Sequence, residues 1–119
     1  MAGFRASARP PVDRLRRSED FARAQAEGRR QRGRLLTVIV ANGPDSGASR
    51  VGFAVSRKVG NAVTRNRVKR WLREAVRAEA ASVPPGADVV IIAHAAAAEA
   101  GLRPLAAELR SLWSRFPRP

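Results

Sequence analysis

The stretch GNAVTRNRVKRWLREAVR, residues 60–77, constrains the fold of this chain more than any other. At about 100° per residue, a helix through it gathers Val68, Trp71, Leu72 and Ala75 on one side. Asn66, Lys69, Arg70, Arg73 and Arg77 gather on the opposite side, with Arg65 and Arg67 on the two rims. Such a helix must lie on an apolar layer that it cannot supply itself, with its other side in water. Charged helix faces are ordinarily steadied by opposite charges three or four residues apart. Here six cations meet a single acid, Glu74, which can offset Arg70 or Arg77. The uncompensated repulsion marks the face as a seat for a polyanion rather than a plain solvated surface.

The rest of the composition agrees. The 119 residues suit one domain with a single modest core. The net charge of +13 comes from two blocks, an excess of six over residues 1–34 and of seven over 57–77, while the remaining segments balance. That distribution points to nucleic acid. Arg outnumbers Lys by 21 to 2, which reflects genomic composition as much as chemistry. The absence of cysteine excludes disulfides, a thiol nucleophile and cysteine metal sites. The Arg-rich start lacks the apolar core of a secretory signal and no apolar run reaches membrane-spanning length, so a soluble, cytoplasmic protein is expected.

Along the chain, residues 1–11 read as a flexible basic arm, residues 12–116 as the domain and 117–119 as a tail. Ser18 is the expected N-cap of a short helix with Glu19 and Asp20 in its first turn, and Gly28 its expected end. Residues 34–42, RLLTVIVAN, read as a strand entering a hairpin through the turn residues 43–47. The return strand, 50–56, alternates Val51, Phe53 and Val55 with Gly52, Ala54 and Ser56. The second, small-residue face suits either an extended ligand or close helix packing. After Pro84-Pro85-Gly86, the run ADVVIIA (87–93) reads as a strand covered on both faces, and a closing helix is expected from Pro104. The expected fold is a two-layer α/β sandwich in the order α, β, β, basic α, β, α, with a short extra strand around residues 29–33.

Protein-borne catalysis is not expected. His94, the one histidine, reads as a strand-end residue, and the carboxylates are scattered, unlike the convergent acids of a metal nuclease. No glycine-rich phosphate loop is present, and no catalytic or metal-ligating residue is assigned.

The twenty residues VGFAVSRKVGNAVTRNRVKR (51–70), with Arg65-Asn66-Arg67 at their heart, closely resemble the signature of the protein component of bacterial ribonuclease P. Arg14-Leu15, Ser18-Glu19-Asp20-Phe21 and residues 88–93 fall where that family has its equivalents. The resemblance implies a fold like the second domain of ribosomal protein S5, with a left-handed βαβ crossover. It also implies a ribonucleoprotein endonuclease that removes the 5′ leader of precursor tRNA, in which the RNA subunit with its magnesium ions is the catalyst. One protein would pair with one ribonuclease P RNA. By the same resemblance Arg65, Asn66, Arg67, Lys69, Arg70 and Arg73 contact the RNA subunit, while Phe21, Ile39, Ser56, Arg57 and Lys58 line the precursor-tRNA leader cleft. Two family aromatics are replaced, by Gln25 and Ile39, so leader stacking is expected to be weaker.

Three rivals make different predictions. A ribosomal or general structured-RNA-binding protein would leave tRNA maturation unchanged, an autonomous nuclease would cut RNA unaided, and a DNA-binding module would prefer duplex DNA.

Overall fold

The computed structural model describes residues 12–43, 48–80 and 83–116. The expected arm, the tail and residues 44–47 of the expected turn lie outside these residues. The elements are β1 (Val12–Arg14), α1 (Ser18–Glu27), β2 (Arg29–Arg32), β3 (Leu36–Asn42), β4 (Ser49–Ala54), α2 (Ala62–Ala78), β5 (Ala87–Ala93) and α3 (Leu102–Trp113). A 3-10 turn, Ala95–Glu99, precedes α3. The strands form one five-stranded mixed sheet in the order β1-β4-β5-β3-β2.

The apolar run of β5 belongs at the centre of this sheet, and six of its seven residues are buried. It pairs in parallel with β4, Val51 opposite Val89, and antiparallel with β3, Val40 opposite Val89. The hairpin expected between residues 34–42 and 50–56 is therefore corrected: β5 lies between those two strands. A β3–β4 hairpin would have left the most apolar strand at an edge, with unpaired backbone along one side. The true hairpin joins β2 to β3, Arg29 opposite Val40 and Arg32 opposite Thr37, which places the expected short strand. Its turn is held from outside: the Glu108 carboxylate on α3 accepts hydrogen bonds from the backbone N–H groups of Leu35 and Leu36, both at 2.7 Å. Strand β1, which sequence reading did not foresee, pairs in parallel with β4.

Alternate residues of the sheet face different helices. Leu36, Val38, Val51, Val89 and Ile91 meet Val68 and Leu72 of α2 and Leu105, Leu109 and Leu112 of α3 in the larger core. Ile39, Ala41 and Val90 meet Leu15 and Ala24 beneath α1 in a smaller one. The mixed α/β class stands, but the two-layer expectation understates α1, which forms a partial third layer because Gly52 and Ala54 leave the sheet low enough to receive it. Ser18 is the first helical residue rather than the cap; Arg17 holds that place without a side-chain bond, and Gly28 ends the helix as expected.

One polar cluster ties α1 to the sheet. Asp88, 1% exposed, receives both arms of the Arg50 guanidinium, at 2.8 Å from Nε to Oδ1 and 2.7 Å from Nη2 to Oδ2. Arg23 of α1 donates to the same carboxylate and to the Asn42 carbonyl, and Arg50 reaches Asp20 of α1 at 3.3 Å. The hydrogen bonds to Asp88 hold the Arg50 guanidinium above its ordinary pKa, against the opposing effect of burial.

Candidate nucleic-acid interface

Helix α2 begins where its sequence says it should. Asn61 caps it, the side-chain oxygen accepting from the Thr64 N–H at 2.9 Å. The preceding Gly60 has φ +155°, and a Cβ there would meet the Thr64 side chain at 2.9 Å, so the chain can enter the helix this sharply only through glycine. Val68, Leu72, Ala75 and Val76 are buried, while Asn66, Arg67, Arg70, Arg73 and Arg77 are exposed. Arg65 and Lys69 are half-buried at the rims. The Arg67 guanidinium lies 5.4 Å from the centre of the Trp71 ring, which steadies one cation through the ring's negative face. Glu74 is taken by Arg77 at 3.1 Å. The six residues assigned to the RNA subunit thus share one surface, and Glu74 does not neutralise it.

The second set lies elsewhere. Phe21 of α1 sits directly over Gly52, where a Cβ would come 2.3 Å from its ring. The half-buried Phe21, Ala54 and Ile92 form an open apolar trough beside the smaller core. Close helix packing accounts for Gly52, on which α1 lies, while Ala54 is left half-buried beside it. At the end of β4 the tight turn Ser56–Gly60 is pinned by buried Val59 and by bonds from Val59 N–H to the Ser56 carbonyl (3.0 Å) and from Gly60 N–H to the Arg57 carbonyl (3.2 Å). This leaves Ser56, Arg57 and Lys58 exposed. They lie between the trough and the start of α2.

Ile39 does not join that set. It is 0% exposed, sealed beneath α1, and has no surface to offer a ligand. The alignment placed it correctly on β3, but α1 covers the position. Ile92 is the trough residue missed in the sequence: its partnership with Ala54 becomes visible only once the β4–β5 register is known. Gln25 is exposed on α1.

Four carboxylates brace the fold: Asp20 and Asp88 hold Arg50, Glu79 holds Arg110 and Glu108 holds the β2–β3 turn. Among the described residues no three His, Cys, Asp or Glu side chains are placed to hold a metal. His94 is structural. The Arg34 carbonyl can only accept, so Nδ1 donates to it at 3.1 Å and Nε2 accepts from the Thr37 hydroxyl at 2.7 Å.

A basic helix on one side of a mixed sheet, an apolar trough on the other and a basic turn between them define an RNA-binding α/β domain. The family model described as Ribonuclease P matches residues 10–117. The ribonuclease P protein component of Streptomyces avermitilis is 43% identical over 115 residues, covering 90% of this chain and 94% of that one. That of Acidothermus cellulolyticus is also 43% identical, over 108 residues, covering 90% of each. The solved structure of the Thermotoga maritima protein superposes with a TM-score of 0.78 at 29% identity, covering 88% of this chain and 98% of that one. The chain belongs to the ribonuclease P protein family. It is the protein subunit of an endoribonuclease of tRNA processing, and its partner is an RNA subunit. No helix among the described residues is long and apolar enough to cross a membrane.

Proposed function

We propose that α2 docks on the RNA subunit through Arg65, Asn66, Arg67, Lys69, Arg70 and Arg73, while Phe21, Ser56, Arg57 and Lys58 hold the 5′ leader of precursor tRNA. The observation that carries this division of labour is the turn Ser56–Gly60, which joins the trough strand to the basic helix and exposes its cations between the two. A single-stranded leader lying in the trough would stack a base on Phe21 and rest its backbone against Arg57 and Lys58. Arginine forks on α2 suit RNA phosphates, and the Asn66 amide both donates and accepts. Catalysis then belongs to the RNA subunit with magnesium ions held mainly by the RNA, and the protein orients the substrate. One protein binds one RNA in the cytoplasm.

The test separates the two surfaces. Arg57→Ala should leave assembly with the RNA subunit unchanged and raise the KM for leader-bearing precursor several-fold. Equal loss on a substrate with no leader beyond the cleavage site would contradict the leader role.

A further inference from the structure

Arg14 and Arg16 were not assigned to either surface. They flank Leu15, which turns into the small core under α1, so the two arginines point the other way, toward α2. There they line an open pocket of about 480 Å³ with Val51 and Phe53 of β4, with Arg73, Val76 and Arg77 on the last turns of α2, and with Ala80 just beyond its end. Arg73 and Arg77, four apart, share one helix face. Four guanidinium groups therefore surround an opening whose floor is an aromatic ring and two valines. Among the described residues Arg14, Arg16 and Arg73 form no ion pair, and Glu74 is committed to Arg77. The three arginines without a countercharge repel one another, and an anion entering the pocket would relieve that repulsion.

We infer that this pocket is a nucleotide site, taking the phosphates of one unpaired nucleotide on Arg14, Arg16, Arg73 and Arg77 and its base against Phe53. The volume falls within the range of small-ligand pockets, and the wall chemistry is that of single-stranded nucleic-acid binding: cations for the backbone, a ring for the base. The pocket opens on the α2 face of the sheet, opposite Phe21, so the leader trough does not supply the occupant. Because two of its four arginines belong to α2, the inference rests on the docking of α2 to the RNA subunit and names an unpaired nucleotide of that RNA. It extends the RNA contact beyond the helix to the sheet edge.

The experiment measures binding of the full chain to ribonuclease P RNA across a salt series, with ATP titrated separately onto the free protein. Arg14→Gln with Arg16→Gln should weaken binding at least about tenfold at moderate salt and reduce the log–log salt slope by about 1.4 to 1.8, the release expected for two phosphate contacts. Phe53→Leu, which keeps the apolar floor and removes the ring, should weaken binding with the slope unchanged. An unaltered slope in the Arg14 and Arg16 variant, alongside a reduced slope in Arg65→Ala with Arg67→Ala, would overturn the pocket and leave the α2 docking intact. A reduced slope only in the former would keep the pocket, with Arg73 as its contact on α2, and remove Arg65 and Arg67 from the docking set. ATP binding that disappears in the Arg14 and Arg16 variant while its RNA slope stays unaltered would identify a free nucleotide and overturn the RNA assignment.

Discussion

Asp88 is the residue on which the placement of α1 turns. It is 1% exposed and carries two guanidinium partners that are 25% and 31% exposed. Asp88→Asn would leave Arg23 and Arg50 facing a neutral amide, and should cost about 2 to 3 kcal/mol in urea unfolding, less than a fully buried pair because the arginines keep some water. The raised pKa of Arg50 fixes the sign of any pH effect. Its contribution is complete below the ordinary arginine value and is lost only as pH climbs through the higher folded one, so the comparison holds across neutral pH. Gly52 matters for a different reason. Gly52→Ala would place a methyl 2.3 Å from the Phe21 ring and expel it. We expect a loss of about 1 to 3 kcal/mol, together with weaker binding of leader-bearing precursor and unchanged binding to the RNA subunit. A leader affinity that survives the substitution would remove Phe21 from that site.

At the scale of elements, α2 was legible because the requirements of its two sides differ so sharply: the burial of Val68, Leu72 and Ala75 and the exposure of Asn66, Arg70 and Arg73 follow from spacing alone. If α2 is the docking helix, Arg65→Ala with Arg67→Ala should flatten the salt dependence of assembly by about 1.4 to 1.8 in log–log slope, because fewer counterions are released. A slope equal to that of the unaltered protein would contradict the assignment. Strand pairing was less legible. The turn chemistry of residues 43–47 suggests a hairpin, yet β5, arriving from 44 residues downstream of the turn's start, inserts between β3 and β4. Turn residues report a local reversal and not which strand lies alongside. The same limit hid Ile92, since alternation tells which residues share a face but not which helix covers it; Ile39, named by the family resemblance, is buried because α1 covers its position. Arg14 and Arg16 were given no role because the three residues of β1 carry too little pattern to announce a strand, and so their side of the sheet could not be read.

For the molecule as a whole, the sheet separates two tasks. One face bears α2 and α3 over the larger core, with the cations of α2 outermost; the other leaves Phe21, Ala54 and Ile92 half-buried beside α1. The net charge of +13 draws RNA toward it, and Asp20, Asp88 and Glu79 are held in ion pairs within the fold. The measurement that tests the proposed function most directly is cleavage of a precursor tRNA at low magnesium by a bacterial ribonuclease P RNA, with the protein, without it, and by the protein alone. The account predicts cleavage at the mature 5′ end when RNA and protein are combined, little with the RNA alone at that magnesium level and none with the protein alone. Cleavage by the protein alone, or no stimulation of the RNA, would contradict it.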